Sequence, residues 1–166
     1  MIAAALALAL CAGPQEWDLG WIAAPYPVET VAIRESLEPL DAVEVYVAMS
    51  FWQSYDIQTS GPGWVMFSGR FEITFDLPGE PVVLDYVSVW TGMLPAGNYS
   101  LTWLGVLTGT VLVTDADALA ALEGAGAEYV PVVVQSWSSI VGHNVSGVVY
   151  HTAAAAPSGT VTLNPD

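Results

Sequence analysis

Residues 43–52 read VEVYVAMSFW, with an apolar side chain at every odd position and mostly smaller or polar side chains at the even positions. A period of two is typical of a β-strand that buries one face. Residues 64–76 read WVMFSGRFEITFD and repeat the pattern, with the apolar side chains again mainly at odd positions. The segment between them, Gln53 to Gly63, is polar and ends in Gly-Pro-Gly, which breaks regular structure. Val43 to Asp76 is therefore predicted to form a long β-hairpin with one buried side.

The charged residues favour one register for this hairpin. Only registers that place odd residues opposite odd residues keep the apolar face intact. One such register sets Glu44 opposite Glu72, and like charges directly opposite each other are unfavourable. A register shifted by two residues sets Glu44 opposite Arg70 instead, and this is the one that the sequence favours.

The rest of the chain is also predicted to be β-rich. Its 166 residues suit one domain with a sizeable core, and 54% of them are hydrophobic, with many Val, Thr, Gly, Trp and Tyr. Turn residues recur at intervals of about ten, which predicts an all-β, antiparallel β-sandwich of immunoglobulin-like or jelly-roll type. Further strands are predicted at Val28–Ile33, Val82–Trp90, Tyr99–Trp103, Thr110–Val113, Val130–Trp137, His143–Tyr150 and Thr160–Leu163, with a flexible loop at residues 153–158.

One short helix is predicted after Thr114. Thr114 is assigned as the N-cap because Asp117 follows three residues later, and Gly124 suits the end of the helix. Leu119 and Leu122 are then expected to face the core.

The charge balance excludes some partners. The chain has no Lys, its only strongly basic residues are Arg34 and Arg70, and its 17 carboxylates give a net charge of -15. Nucleic acids and anionic lipid surfaces bind proteins through basic surfaces. Nucleic acids are therefore not expected as partners. A membrane is expected as a partner only if the chain carries a lipid anchor.

The first residues form an apolar segment, and two interpretations of it stay open. Met1 to Gly13 is an uninterrupted apolar run followed by a polar junction, which is typical of a secretory signal segment, but no Lys or Arg precedes the run. Alternatively, it is a retained arm, since Leu6, Leu8 and Leu10 alternate with alanines and would share one side of a strand that adds to a neighbouring subunit. The chain is accordingly divided into an apolar segment and extended linker at 1–27 and a single β-sandwich domain at 28–166.

Cys11 is the only cysteine, so the chain has no partner for an internal disulfide. It follows Leu8-Ala9-Leu10, which resembles a bacterial lipoprotein acceptor site and makes Cys11 a candidate for lipidation. The residue directly before such a cysteine should be small, and here it is Leu10.

The sequence offers little catalytic chemistry. His143 and His151 are the only histidines, and no Gly-x-Ser-x-Gly motif is present. Glu44 and Glu72 would form a glycosidase-like pair only in the disfavoured register. No catalytic site, metal or cofactor is predicted, and the protein is not expected to be an enzyme.

Exposed aromatic residues give the strongest functional signal. The even face of the predicted hairpin and its loop combine aromatic rings with an arginine, a set enriched at protein interfaces. Such rings also stack on sugars. The predicted binding or interface residues are Tyr46, Trp52, Tyr55, Trp64, Met66 and Arg70.

The sequence therefore favours a non-enzymatic structural subunit of a surface assembly, such as a virion, a filament or an envelope layer. It would be extracellular or surface-exposed, and its apolar arm would contact a neighbouring subunit in a homo- or hetero-oligomer. The alternative is a secreted or lipid-anchored carbohydrate-binding module that uses the exposed aromatic residues.

Overall fold

The computed structural model describes residues 13–24 and 28–165, apart from the side chains of residues 24 and 150–152. Over these ranges it confirms an all-β fold with one short helix. The elements are β1 (Gln15–Asp18), β2 (Ile22–Ala24), β3 (Val28–Arg34), β4 (Val43–Thr59), β5 (Gly63–Phe75), β6 (Val82–Leu94), β7 (Gly97–Val113), α1 (Ala116–Ala121), β8 (Ala127–Gly142) and β9 (Val145–Leu163).

The described strands form two antiparallel sheets that pack as a sandwich. The first sheet has the order β1-β9-β4-β7, with β2 paired to β9 beside β1. The second sheet has the order β3-β8-β5-β6. Phe51 on β4 and Phe71 on β5 stack across the interior with ring centroids 4.2 Å apart, so the odd faces of both strands meet in one core.

The strand pairing distinguishes between the two predicted sandwich types. β5 pairs with β6, β4 with β7, β3 with β8, and β1 and β2 with β9, so the chain forms one nested antiparallel ribbon. The pairs β4–β9 and β5–β8 join the ribbon into two sheets. A ribbon wrapped in this way is a jelly roll, and it does not fit the immunoglobulin-like order.

The predicted hairpin is wrong, although both of its strands and their buried faces are right. β4 lies in the first sheet and β5 in the second, and the connection between them is only Ser60–Pro62. Residues 53–59, predicted to be loop, continue β4. Alternation reports which face of a strand is buried, and two strands stacked across a sandwich give the same pattern as two strands of a hairpin.

Neither the favoured nor the disfavoured register of the hairpin is present, because β4 and β5 lie in different sheets. Glu44 lies between Leu112 of β7 and Thr162 of β9, in the first sheet. Arg70 lies between Val87 of β6 and Trp137 of β8, in the second sheet.

In two places, two strands that are predicted separately form one long strand. β7 contains both predicted strands between residues 99 and 113, and β9 contains the predicted loop at 153–158. That segment pairs with β4 from Gln53 to Ala48, and Ala153 and Ala155 are fully buried. A run of alanines has no alternation to indicate a strand, so its conformation is set by the neighbouring strand.

The residues predicted to form an extended linker contribute two short strands to the first sheet. β1 and β2 both pair with β9. Trp17 of β1 is buried and stacks on Phe75 with ring centroids 5.7 Å apart. This part of the chain therefore covers one side of the core.

The helix begins one residue later than predicted. Its N-cap is Asp115, whose Oδ1 accepts hydrogen bonds from the backbone N–H groups of Asp117 and Ala118 at 2.9 and 3.2 Å. Leu122 is buried and Leu119 packs against the core, as predicted.

Asp115→Ala is expected to lower the free energy of unfolding by about 1 kcal/mol, because two backbone N–H groups at the start of α1 lose their acceptor. Thr114→Ala is the control and should change it by less than about 0.5 kcal/mol. Urea denaturation followed by circular dichroism measures both. A larger loss for Thr114→Ala would contradict the assignment of the cap.

Candidate interaction surface

The outer face of the second sheet carries a set of exposed apolar side chains. Residues of a strand that do not face the core point away from the sandwich, because side chains alternate between the two faces. On this face the exposed fraction reaches 71% for Met93 and 61% for Val87. We call the following residues the second-sheet patch: Trp64 on β5; Val83, Val87, Val89 and Met93 on β6; and Trp137 and Val141 on β8.

The register places these side chains on one face, where Ser68, Thr91 and Ser139 lie among them and where Asp85 and Glu72 separate Val83 from the others. Trp64 lies directly opposite Met93, and Arg70 lies between Val87 and Trp137. Residues directly opposite each other on one face are close enough for their side chains to touch. The patch therefore extends across three adjacent strands.

Arg70 lies in the middle of the patch and has partners on three sides. Its Nη2 donates to Glu72 Oε2 at 2.8 Å, and its Nε lies 3.2 Å from Asp85 Oδ2. Its guanidinium carbon lies 5.3 Å from the centre of the Trp137 ring, which is a cation–π distance. Ion pairs as exposed as these add little stability, so their main effect is to fix the position of the guanidinium.

The predicted aromatic platform is divided between opposite sides of the molecule. Trp64, Met66 and Arg70 lie on the outer face of the second sheet, whereas Tyr46 and Trp52 lie on the outer face of the first. The prediction that they share one face is wrong because it depended on the hairpin. Whether each of them binds a partner stays a prediction.

Tyr55 is part of the core and not of a loop. Its side chain is 3% exposed and makes an edge contact with Phe67, with ring centroids 5.2 Å apart. Its hydroxyl donates to Gln53 Oε1 at 3.0 Å. A role for Tyr55 on an exposed platform is therefore wrong.

The outer face of the first sheet also carries apolar side chains among polar ones. Trp52 lies between Leu104 and Ala154, and Tyr46 lies between Thr110 and Thr160. The exposed apolar side chains of β7 on this face are Leu104, Val106 and Leu112.

The sequence analysis missed most of the second-sheet patch, although a signal was present. In β6 the odd residues Val83, Val87, Val89 and Met93 are apolar, while the even residues, which include Trp90, face the interior. Antiparallel strands with one face in water usually alternate between apolar and polar side chains. A strand that is apolar on both faces in a two-layer fold therefore indicates a second covered surface.

The carboxylates are concentrated at one end of the sandwich. The connections β3–β4, β5–β6 and β7–β8 meet at that end, while β4–β5, β6–β7 and β8–β9 meet at the other. The second group, residues 60–62, 95–96 and 143–144, contains no carboxylate, Lys or Arg. The first group carries Glu35, Glu38, Asp41, Asp76, Glu80, Asp115, Asp117 and Glu123.

The described residues do not form the catalytic or metal sites considered from the sequence. Glu44 and Glu72 lie on the outer faces of different sheets, so they are not paired across a hairpin. His143 lies in the β8–β9 connection, and the side chain of His151 lies outside the described part of the structure. Within residues 13–24 and 28–165, no three His, Cys, Asp or Glu side chains converge as metal ligands.

The candidate arm residues Leu6, Leu8 and Leu10, and the candidate lipidation residue Cys11, lie outside the described residues. In the part of the chain that is described, no helix is long and apolar enough to cross a membrane.

Comparisons with known proteins do not place the chain in a family. No family model matches it, and no curated protein matches its sequence. Among solved structures, Merkel cell polyomavirus VP1 in complex with the GD1a oligosaccharide is 13% identical, with 84% of this chain and 77% of that chain covered and a TM-score of 0.24. A structure of the infectious bursal disease virus Gx strain is 11% identical, with 92% and 41% covered and a TM-score of 0.17. These likenesses are too low to support an argument, so the fold assignment rests on the strand order.

Proposed function

We propose that this chain is a non-enzymatic structural subunit of a surface assembly, such as a virion, an extracellular filament or an envelope layer. The observation that carries the proposal is the second-sheet patch. Exposed apolar side chains gathered on one face of a folded domain are typical of protein contacts, because covering them removes apolar area from water. A second protein surface that covers β6, β5 and β8 would gain this free energy.

The composition of the patch supports a protein partner. Trp137 lies beside Arg70, and Trp64 and Met93 lie opposite each other further along the same face. Trp, Met and Arg are enriched at the centres of protein interfaces. Arg70 has two carboxylate partners, so covering it buries no unpaired cation, and the three groups together carry a net charge of -1.

The net charge supports a specific mode of contact. With a charge of -15, two copies repel each other, and this repulsion is screened at distances beyond about 8 Å at physiological salt. Contact through the second-sheet patch keeps the acidic connections of the two copies away from the buried area. Assembly through this face is therefore expected to strengthen as salt is raised.

The carbohydrate-binding alternative receives less support. It required Trp52 and Trp64 to form one platform, and they lie on opposite faces of the sandwich. Of these two, Trp64 is the more exposed, at 50%, and is the ring on which a sugar would stack.

Val87→Glu is expected to weaken self-association of the full chain at least about tenfold, which corresponds to 1.4 kcal/mol. The new carboxylate would lie beside Asp85 and Glu72. A second copy that covers it would remove its water without supplying a positive charge. Sedimentation velocity over a range of concentrations, at about 0.15 M and 1 M salt, measures the effect.

Val149→Glu is the matched control. Val149 is 55% exposed, against 61% for Val87, and it lies in β9 of the other sheet. The control should associate like the unchanged protein. A monomer at every concentration and salt, or equal weakening by both substitutions, would contradict assembly through this face. Glycan binding that is lost in Trp64→Ala would instead support the carbohydrate module.

A further inference from the structure

β7 is the longest free edge among the described strands. It pairs with β4 over all of its 17 residues, and no described strand lies on its other side. Every second residue of such a strand directs its N–H and C=O away from the sheet. β7 therefore presents a row of backbone donors and acceptors with which another strand can pair.

The usual protection of an edge strand is missing in β7. Soluble proteins protect their edges with charged residues, Pro or β-bulges. β7 reads GNYSLTWLGVLTGTVLV, without a charged residue or Pro, and its register with β4 is continuous. A long edge of this kind is typical of a strand that pairs with another chain.

The other free edges of the described strands are shorter or protected. β1, β3 and β6 carry charged residues, and β2 has only three residues. β9 lacks a second described neighbour over residues 145–152, and its register with β4 shifts there. β8 lacks one over residues 134–142, a segment shorter than β7. β7 is therefore the edge at which pairing forms the most backbone hydrogen bonds.

We propose that β7 pairs with β7 of a second copy of this chain, antiparallel and about a two-fold axis at Gly105. This contact goes beyond the second-sheet patch and does not depend on it, because it uses the edge of the other sheet. A two-fold contact sets the same strand against itself, so the two edges match in length. Gly105 is the middle residue of β7, and centring the pair on it uses all 17 residues of each strand.

The number of hydrogen bonds is large enough for a stable dimer. In an antiparallel pair, alternate residue pairs exchange two hydrogen bonds, so 17 residue pairs form about 16 of them. A typical protein interface has about ten. The pairing also joins the first sheets of the two copies into one continuous sheet.

The charge distribution favours a second copy at this edge. The chain has a net charge of -15, so a contact between copies is favoured where it keeps carboxylates apart. The carboxylates of the first sheet next to β7 are Glu44 and Asp56, on β4. In the pair, β4 of one copy and β4 of the other are three strand spacings apart, about 14 Å. This exceeds the screening length of about 8 Å at physiological salt.

The pairing also covers an opening in each copy. A cavity of about 300 Å³ lies between β6 and β7, and Trp90, Leu101 and Trp103 are among the residues that line it. Leu101 and Trp103 are only half-buried. In the centred pair Trp103 lies opposite Leu107 of the second copy, and Leu101 lies opposite Gly109, so large side chains face smaller ones. The second copy would remove apolar area at this opening from water.

Disulfide cross-linking tests the pairing and its register. All variants carry Cys11→Ser, so that each chain has one cysteine. In the centred pair, Leu104 of one copy and Val106 of the other lie directly opposite, within the Cα separation of about 4.4–6.8 Å that a disulfide requires. Each residue lies about 7–8 Å from its own counterpart. After mild oxidation, a mixture of Leu104→Cys and Val106→Cys should form at least tenfold more linked dimer than either variant alone.

A mixture of Leu104→Cys and Val149→Cys is the matched control. Val149 is 55% exposed, against 64% for Val106, and it lies on the outer face of the same sheet in β9. Linkage in this mixture should stay at least tenfold below that of the two β7 variants. Equal linkage in the control mixture, or in either β7 variant alone, would overturn the inference.

Hydrogen exchange on the unchanged protein provides a second test. The N–H groups of β7 that point away from β4 should gain protection as the protein concentration is raised and dimers form. A chain that stays monomeric at every concentration would overturn the inference. Equal protection of β7 in the monomer would also overturn it, because another part of the same chain would then cover the edge.

The same cross-linking with Val87→Glu added separates this contact from the second-sheet patch. Val87 lies on the outer face of the second sheet, away from the edge of β7. Linkage through β7 should therefore persist, while oligomers larger than a dimer are lost. Loss of the linkage would overturn an independent contact through β7.

Discussion

Phe51→Ala is expected to lower the free energy of unfolding by about 3–5 kcal/mol, because it removes a fully buried ring from a closely packed core. Phe51 is 1% exposed and stacks on Phe71 of the opposite sheet, with ring centroids 4.2 Å apart. It also contacts Tyr86, at a centroid distance of 5.1 Å. The cavity left behind would lie between the two sheets, where neither backbone can close it.

The neighbouring residue in the sequence supplies the control. Trp52 lies on the outer face of β4 and is only half-buried, so Trp52→Ala should cost less than about 1.5 kcal/mol despite its larger side chain. Guanidinium denaturation of the two variants gives the comparison. Equal losses of unfolding free energy would contradict the structure, in which Phe51 faces the core and Trp52 lies on the outer face of β4.

A double-mutant cycle on Phe51 and Phe71 also tests the topology. In the jelly roll the two rings touch, so their alanine substitutions should couple by at least about 0.5 kcal/mol. In the predicted hairpin Phe51 would lie opposite Gly63, about 27 Å along the strand from Phe71, and the two losses would simply add. If the alanine variants do not fold, the same cycle is measured with leucine substitutions.

The contrast between jelly roll and hairpin shows what the sequence can reveal about this fold. Strand alternation is a local property, so the buried faces of Val43–Phe51 and Val65–Phe75 were predictable residue by residue. The strand that lies beside each of them is not a local property. Val113 and Leu163 both pair with Val43 in the structure, and no feature of either residue identifies it as that partner.

The candidate surface was predictable only in part. Trp64 and Arg70 were identified because aromatic and basic side chains stand out in an acidic β-rich chain. Val87 and Val89 were placed in a strand but not on a surface, because valine is equally typical of a core. Only the pairing of β6 with β5 brings them next to Arg70.

Gly159→Ala is expected to lower the free energy of unfolding by about 3 kcal/mol, although adding a methyl group to a strand glycine usually stabilises it. Gly159 lies in β9 between Val47 of β4 and Trp17 of β1. A Cβ at this position would clash with the carbonyl oxygen of Tyr46 and lie 2.7 Å from Cζ2 of Trp17. The carbonyl belongs to the sheet backbone, so the added methyl group forces β9 away from β4 and also displaces the Trp17 indole.

Gly147→Ala, in the same strand, is the matched control. Its Cβ would meet only the side chain of Gln58, at 3.6 Å or more, and its φ is not in the left-handed region. It should therefore change the free energy of unfolding by less than about 0.5 kcal/mol. Urea denaturation measures both variants, and hydrogen exchange should show residues 15–18 opening faster in Gly159→Ala alone. If Gly159→Ala were as mild as the control, the close approach of β9 to the Tyr46 carbonyl would be wrong. Unchanged hydrogen exchange at residues 15–18 would mean that Trp17 does not lie against β9 and that these residues are a linker, as the sequence predicts.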